Sequence, residues 1–347
     1  MLDDLKYIHQ RDGQDALGIA ERQAGQLEYN YEVPKIEGDF ANIVFAGMGG
    51  SALPALLSKS WPGYKLPFEV CRQYHIPAYV SDKTLFIASS YSGNTEETLS
   101  ALAEATNQRA FIVVMAGGGK LEELAAANGH IFVKIPKAEQ PRYAVFYMLK
   151  AIVAVLESAG LLDSEAAGAQ LHQAADFVKE SVKAWLPTVP QDNNPAKKLA
   201  MELAGKSGVV YAGPLLAPVA YKWKISYNEN AKNVAWWDEY PEFNHNEFIG
   251  WSSHPVDKPY AVVDLRSNLE HPRVLERFEL SDKLLSGRRP AAHVVNAQGE
   301  TLLEQLLWTI AYGDFVTIYL ALLNGVNPAP VDLVEKFKTE LGSTQNT

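Results

Sequence analysis

The chain has a single cysteine, Cys71. No internal disulfide can form, which fits a reducing compartment, and a cysteine-cluster metal site is excluded. Positive charge is in deficit: 31 Lys+Arg stand against 41 Asp+Glu, a net charge of −10. An acidic surface repels phosphodiester backbones and anionic lipids, so neither nucleic acid nor membrane is expected as a partner. The histidines are His9, His75, His130, His172, His245, His254, His271 and His293, and no two have the i, i+4 spacing of a helical metal pair. His245 and His254, with Glu242 and Glu247 nearby, leave only a weak loop alternative, and no metal or other cofactor is expected. No apolar run approaches the ~20 residues of a membrane span; the best, Phe315 to Leu323, is flanked by Asp314 and Asn324. The opening Met1-Leu2-Asp3-Asp4-Leu5-Lys6 is charged from its third residue, unlike a signal peptide. The expectation is a soluble, cytoplasmic chain.

Two catalytic motifs are missing as well. Gly117-Gly118-Gly119-Lys120 comes nearest to a nucleotide-binding P-loop, but Val114 stands where its first glycine belongs and Leu121 where its hydroxyl belongs. It reads as a flexible turn between a strand and a helix. The absence of a G-x-S-x-G elbow argues against a nucleophilic hydrolase of that type.

What is present is an ordinary globular composition, 47% hydrophobic and 21% charged over 347 residues, long enough for two domains. Apolar runs at Asn42 to Ala46, Phe68 to Cys71, Thr84 to Ser89, Ala110 to Val114 and Ile131 to Ile135 read as strands, with helical stretches such as Glu96 to Ala105 and Lys120 to Ala127 between them. The alternation resumes after a Pro- and Asn-rich stretch from Leu186 to Pro195. Strands are expected at Gly208 to Ala212, Tyr260 to Asp264 and Ala292 to Asn296, and helices at about Leu215 to Lys232, His271 to Leu285 and Thr301 to Leu323. Strands separated by helices imply βαβ units and parallel, doubly wound sheets flanked by helices. The chain is therefore read as two α/β domains, residues 1–163 and 164–347.

Two loops carry chemistry. Gly47-Met48-Gly49-Gly50-Ser51 follows a buried strand and opens a helix, where glycines let the backbone approach an anion and helix N–H groups face it. A dinucleotide site would want G-x-G-x-x-G, but position 52 is Ala, although Glu69 could serve a ribose. Ser90-Tyr91-Ser92-Gly93-Asn94-Thr95 follows the strongest strand. Ser90, Ser92 and Thr95 can converge with backbone N–H groups on the free oxygens of a phosphate monoester. One such hydroxyl would more often be a helix cap; three beside a glycine turn favour a phosphate site. The pair of turns resembles the sugar isomerase (SIS) domain. That resemblance implies a phosphosugar ligand and leaves isomerase, amino-sugar enzyme and non-catalytic sensor all open.

In the second half, Tyr227-Asn228-Glu229-Asn230-Ala231-Lys232 is followed by Glu242-Phe243-Asn244-His245-Asn246-Glu247, with 16 residues from Glu229 to His245. Glu229, among amides and apolar neighbours, has a setting in which a carboxylate is partly desolvated and more basic. His245 can exchange protons near neutrality. Taken alone, Glu229 reads first as a solvated helix-end carboxylate, and His245 as a structural histidine satisfied by its loop. The tryptophans around them, Trp223, Trp236, Trp237 and Trp251, are expected in core or interface packing.

Together with Gln140-Pro141-Arg142, Gly313-Asp314-Phe315, Asn327-Pro328-Ala329-Pro330 and the terminal stretch Glu335 to Leu341, these segments resemble the bifunctional phosphoglucose/phosphomannose isomerase family over nearly the whole chain. The resemblance implies two SIS-type domains and interconversion of glucose 6-phosphate, and also mannose 6-phosphate, with fructose 6-phosphate. It assigns the phosphate to Gly49, Gly50, Ser51, Ser90, Ser92 and Thr95. It makes Glu229 the base between C1 and C2, Arg142 the cation on the enediolate, and His245 and Lys338 the ring-opening groups, with Lys336 the competitor for Lys338. It further implies a homodimer in which His245 enters the neighbouring subunit's site. That chemistry is coherent: one carboxylate can serve both halves of a proton transfer across a planar cis-enediol, and a fixed guanidinium suits the developing charge.

Overall fold

The computed structural model describes residues 1–138, 140–252 and 259–343, so His254 lies outside the described residues. Two short helices, α1 (Leu5–Arg11) and α2 (Ala16–Arg22), precede the first sheet. That sheet is built from β1 (Asn42–Ala46), β2 (Phe68–Cys71), β3 (Thr84–Ser90), β4 (Phe111–Ala116) and β5 (Ile131–Lys134), with α3 (Gly49–Ser60), α4 (Glu96–Asn107) and α5 (Gly119–Asn128) among them. All its pairings are parallel, in the order β2-β1-β3-β4-β5. Every residue of the central strand β3 is buried, which is why these strands read as unbroken apolar runs.

Helices α6 (Val145–Ser158), α7 (Ser164–Ser181) and α8 (Pro195–Leu203) lead to the second sheet. Strands β6 (Ser207–Ala212), β7 (Ala235–Glu239), β8 (Tyr260–Arg266) and β9 (His293–Asn296) pair in parallel in the order β7-β6-β8-β9. Between and after them come α9 (Ala217–Glu229), α10 (Glu247–Gly250), α11 (Pro272–Leu284), α12 (Leu302–Leu323) and α13 (Asp332–Ser343).

Strand β7 is absent from the sequence reading. Its Ala-Trp-Trp-Asp-Glu is short, charged at one end and half-exposed, as befits an edge strand. Helix α7 closes at Ser181 and tightens into a 3-10 turn, Val182–Trp185, before the Pro- and Asn-rich stretch. Helix α12 corrects the reading of apolar runs. Its 22 residues are long and apolar enough to cross a membrane, yet 89% of the relevant window is buried inside the protein. A capping box, Thr301 with Glu304, starts it.

In each sheet the order reverses beside the first strand. In an open parallel sheet the crevice at that reversal, past the carboxyl ends of the strands, is where ligands sit. In the first sheet the reversal lies between β1 and β3, flanked by the two candidate loops. The sheets are tied together by one apolar core to which α3, α6, α9 and α12 all contribute. The N-terminal segment joins the second half too: Tyr7 donates its hydroxyl to Leu322 O at 2.7 Å, and buried Lys197 pairs with Asp3 at 3.0 Å.

Candidate active site

At the end of β3 the hydroxyls do converge. Ser90 Oγ lies 2.7 Å from Thr95 Oγ1 and 3.3 Å from Ser92 Oγ, and it accepts from Gly93 N at 3.1 Å. Thr95 is the N-cap residue of α4, yet its side chain makes no cap bond; the hydroxyl turns to Ser90 instead, against the simple capping role. From the neighbouring loop, Ser51 Oγ accepts from Tyr91 N at 3.0 Å, locking the two turns together. No side chain caps α3, which begins at Gly49.

Gly117 to Lys120 is not merely a flexible turn. Gly117 N donates to Tyr91 O at 2.9 Å, Leu121 N to Gly93 O at 3.0 Å and Lys120 N to Asn94 Oδ1 at 3.0 Å. A Cβ on Gly93, whose φ is +70°, would lie 1.6 Å from Gly118 O. The triple glycine thus lets one loop press flat against the other and brace the hydroxyl turn.

Gly50 makes the link to the next group: a Cβ there would come within 3.3 Å of Arg142 N and Pro141 C. Arg142 is 1% exposed, and four of the five guanidinium N–H groups have partners among the described residues. Nε donates to Asn230 Oδ1 at 2.7 Å, Nη1 to Glu229 Oε2 at 3.1 Å, and Nη2 to Pro328 O and Ala329 O, each at 2.8 Å. Asn230, fully buried, also accepts from Tyr143 OH at 3.0 Å and donates to Thr317 Oγ1 at 2.9 Å. The guanidinium from the turn before α6 therefore joins the end of α9 to the loop before α13, and Asn230 extends the cluster to Thr317 of α12. Glu229, the last residue of α9, keeps its side chain 35% exposed, so its carboxylate is held on one side and open on the other.

Other expected residues lie elsewhere within the chain. His245 is exposed at the end of the 3-10 turn Glu242–His245. Lys338, exposed on α13, pairs with Glu335 at 2.8 Å, and Lys336 is exposed on the same helix. Neither His245 nor either lysine belongs to the hydrogen-bonded cluster at Arg142. The aromatic residues divide: Trp223 is buried and donates to Thr309 O at 2.9 Å, Trp251 is buried against Tyr260, and Trp236 is half-exposed. Among the described residues, Glu28, His172 and Asp176 bring candidate ligand atoms within 4.8 Å of one another on the surface, where Lys179 already pairs with Glu28 and Asp176. None of the site residues is in that group.

Nothing local in the sequence marks Asn230 or the carbonyls of Pro328 and Ala329 as functional, although both segments share in the family resemblance. Their role depends on a fold that brings position 142 to positions 230 and 328.

At the equivalent point of the second sheet, after β6 and β8, the crevice is filled from within. Glu270 Oε1 accepts from Leu215 N at 2.7 Å, and a Cβ on Gly213 would lie 2.4 Å from it.

The family described as "Bacterial phospho-glucose isomerase C-terminal SIS domain" matches residues 192–341. A bifunctional phosphoglucose/phosphomannose isomerase of Caldicellulosiruptor bescii is 32% identical, covering 94% of this chain and 96% of that protein. The chain belongs to the bifunctional phosphoglucose/phosphomannose isomerase family. A second family member, from Aquifex aeolicus, is 31% identical over 93% of this chain and 97% of its own length. The family's fold is also that of a glucose-6-phosphate isomerase like protein from Thermus thermophilus, with a TM-score of 0.66, 21% identity, and 96% and 98% of the two chains covered.

Proposed function

We propose that this chain is an aldose–ketose isomerase that interconverts glucose 6-phosphate, and also mannose 6-phosphate, with fructose 6-phosphate through a cis-enediol. The observation that carries the reading is the half-open Glu229 carboxylate held by the buried Arg142 guanidinium, with Gly50 of the first phosphate turn packed on the Arg142 backbone.

Gly49, Gly50, Ser51, Ser90, Ser92 and Thr95 receive the phosphate, fixing the far end of the sugar so that C1 and C2 lie in register with the base. His245 and Lys338 assist ring opening. Glu229 takes the proton from one carbon and returns it to the next, and one face of a planar enediol lets a single carboxylate do both. Arg142, which stays protonated, meets the charge that develops on the enediolate oxygens. The scheme uses no metal and no cofactor.

The exposed position of His245 supports a homodimer in which His245 serves the partner's site, with the exposed apolar residues Leu333 and Phe337 of α13 available for the contact. We also propose the division into residues 1–163 and 164–347, a cytoplasmic setting, a place in glycolysis or gluconeogenesis, and no nucleic-acid or membrane partner. A coupled assay with the three hexose 6-phosphates, run with chelator, tests the activity. Turnover of glucose and mannose 6-phosphate without ammonia release is expected. Binding without turnover would make the chain a sugar-phosphate sensor, and ammonia release from glucosamine 6-phosphate, offered in a separate assay, would make it an amino-sugar enzyme.

A further inference from the structure

Residues 230–232 turn sharply where α9 ends. Lys232 takes a left-handed backbone, φ +53°, which costs a residue other than glycine about 1 kcal/mol or more. The turn carries its side chain back over the helix end, so that Nζ donates to Glu229 O at 2.6 Å and to Pro328 O at 3.1 Å. Pro328 O is also bound by Arg142 Nη2 at 2.8 Å, and Arg142 Nη1 holds the Glu229 carboxylate. Two cations thus hang from one carbonyl beside one carboxylate. They differ in kind. Arg142 is buried, with four of its five N–H groups bonded among the described residues, and does not give up a proton. Lys232 is exposed, and among the described residues two acceptors reach its three N–H groups.

We propose that Lys232 is a catalytic acid and base on the substrate's oxygens, passing a proton between O1 and O2 of the open-chain hexose phosphate while Glu229 passes one between C2 and C1. The assignment rests on reading Glu229 as the base. From the aldose, the Glu229 carboxylate takes the C2 proton, the freed pair becomes the C1=C2 bond, and the carbonyl π pair moves to O1, which takes a proton from the Lys232 ammonium. In the second half, the neutral Lys232 amine takes the O2 hydroxyl proton and the O2 pair forms the C2 carbonyl. The C1=C2 pair then takes the proton from the Glu229 carboxylic acid at C1. Both groups end as they began.

Three charged groups face Lys232: Arg142 from the turn before α6, Glu229 from α9 and Asp332 at the start of α13. Although Lys232 keeps contact with solvent, desolvation by the groups packed around it pushes the ammonium down to about 8; the Arg142 charge acts in the same sense, against the carboxylates of Glu229 and Asp332. Both protonation states are then populated near neutrality, as a two-way proton carrier requires.

The test is steady-state kinetics of the full chain with fructose 6-phosphate from about pH 6 to about pH 10, for the wild type, Lys232→Met, Lys232→Arg and Glu229→Gln. Lys232→Met should lower kcat about 10²-fold with a smaller change in KM. Lys232→Arg, which keeps the charge and can still brace both carbonyls, should be as slow as Lys232→Met. The wild-type limb near pH 8 should be missing from its profile. Near-wild-type turnover by Lys232→Arg, or an unchanged pH limb, overturns the proposal and leaves Lys232 as a brace. If Lys232→Met does not fold, the arginine variant decides alone. Normal turnover by Glu229→Gln would instead sink the base assignment, whatever Lys232 does; an inactive Glu229→Gln beside a normal Lys232→Arg sinks Lys232 alone.

Discussion

Arg142 Nη1 donates to Glu229 Oε2 at 3.1 Å across 87 residues of sequence. Three of the guanidinium's other contacts, to Asn230 Oδ1, Pro328 O and Ala329 O, aim it at that carboxylate. Arg142→Ala should therefore lower kcat by about 10²–10³-fold and change KM less, because the charge it meets develops during reaction. A raised KM with unchanged kcat would make Arg142 a ground-state ligand. Asn230→Ala, which leaves Arg142 Nε and Tyr143 OH without their buried acceptor, should cost about 1–3 kcal/mol of stability in denaturant titrations.

Gly93 is the position at which the hydroxyl turn tolerates no side chain. Its φ of +70° disfavours one, and Gly118 O stands 1.6 Å from where a Cβ would be. Gly93→Ala has to separate the hydroxyl turn from the Gly117–Lys120 loop. A rise in KM for fructose 6-phosphate larger than the fall in kcat is expected, and the two constants are read from one saturation curve. An unchanged KM would detach this turn from substrate binding.

Glu270 fills the second crevice with its own carboxylate. Burial pushes its carboxyl above the ordinary 4.5, against the amides of Leu215, His271 and Leu216 that favour the anion. With the folded value above the unfolded one, the folded state holds more protons in the interval between them, so stability falls as pH rises from 4.5 toward the folded value. Glu270→Gln should flatten that decline in urea titrations taken across the interval. Parallel slopes for variant and wild type would contradict the sign.

If His245 works in the partner's site, a mixed dimer of Glu229→Gln and His245→Ala chains has one site with both defects and one with neither. Co-refolding the two inactive variants in equal amounts should restore about a quarter of wild-type activity by random pairing. No recovery, with mixed dimers confirmed by mass, would place both residues in the same chain's site.

The strands that cross the interior were legible because burial on both faces writes them as unbroken apolar runs; Thr84 to Ser90 is the clearest case. The edge strand Ala235–Glu239 was not, since one neighbour and one covered face ask little of its residues. The hydroxyl turn could be read because Ser90, Ser92 and Thr95 lie within six positions. The clamp on Arg142 could not. It joins residues 142, 230, 328 and 329, which no local pattern connects. Gly117 to Gly119 looked like slack, because what makes three glycines necessary is the backbone of another loop. No local pattern marks Lys232; its reach to Glu229 O depends on the left-handed turn at its own Cα.

The role of Glu229 is most directly tested by running the reaction in heavy water with the wild type and Glu229→Gln, following deuterium at C2 of glucose 6-phosphate by proton NMR. Wild-type protein should label that carbon during turnover. The variant should bind fructose 6-phosphate with nearly the same affinity yet neither label nor isomerise it. Deuterium entering C2 at the wild-type rate in the variant would show that another group moves the proton.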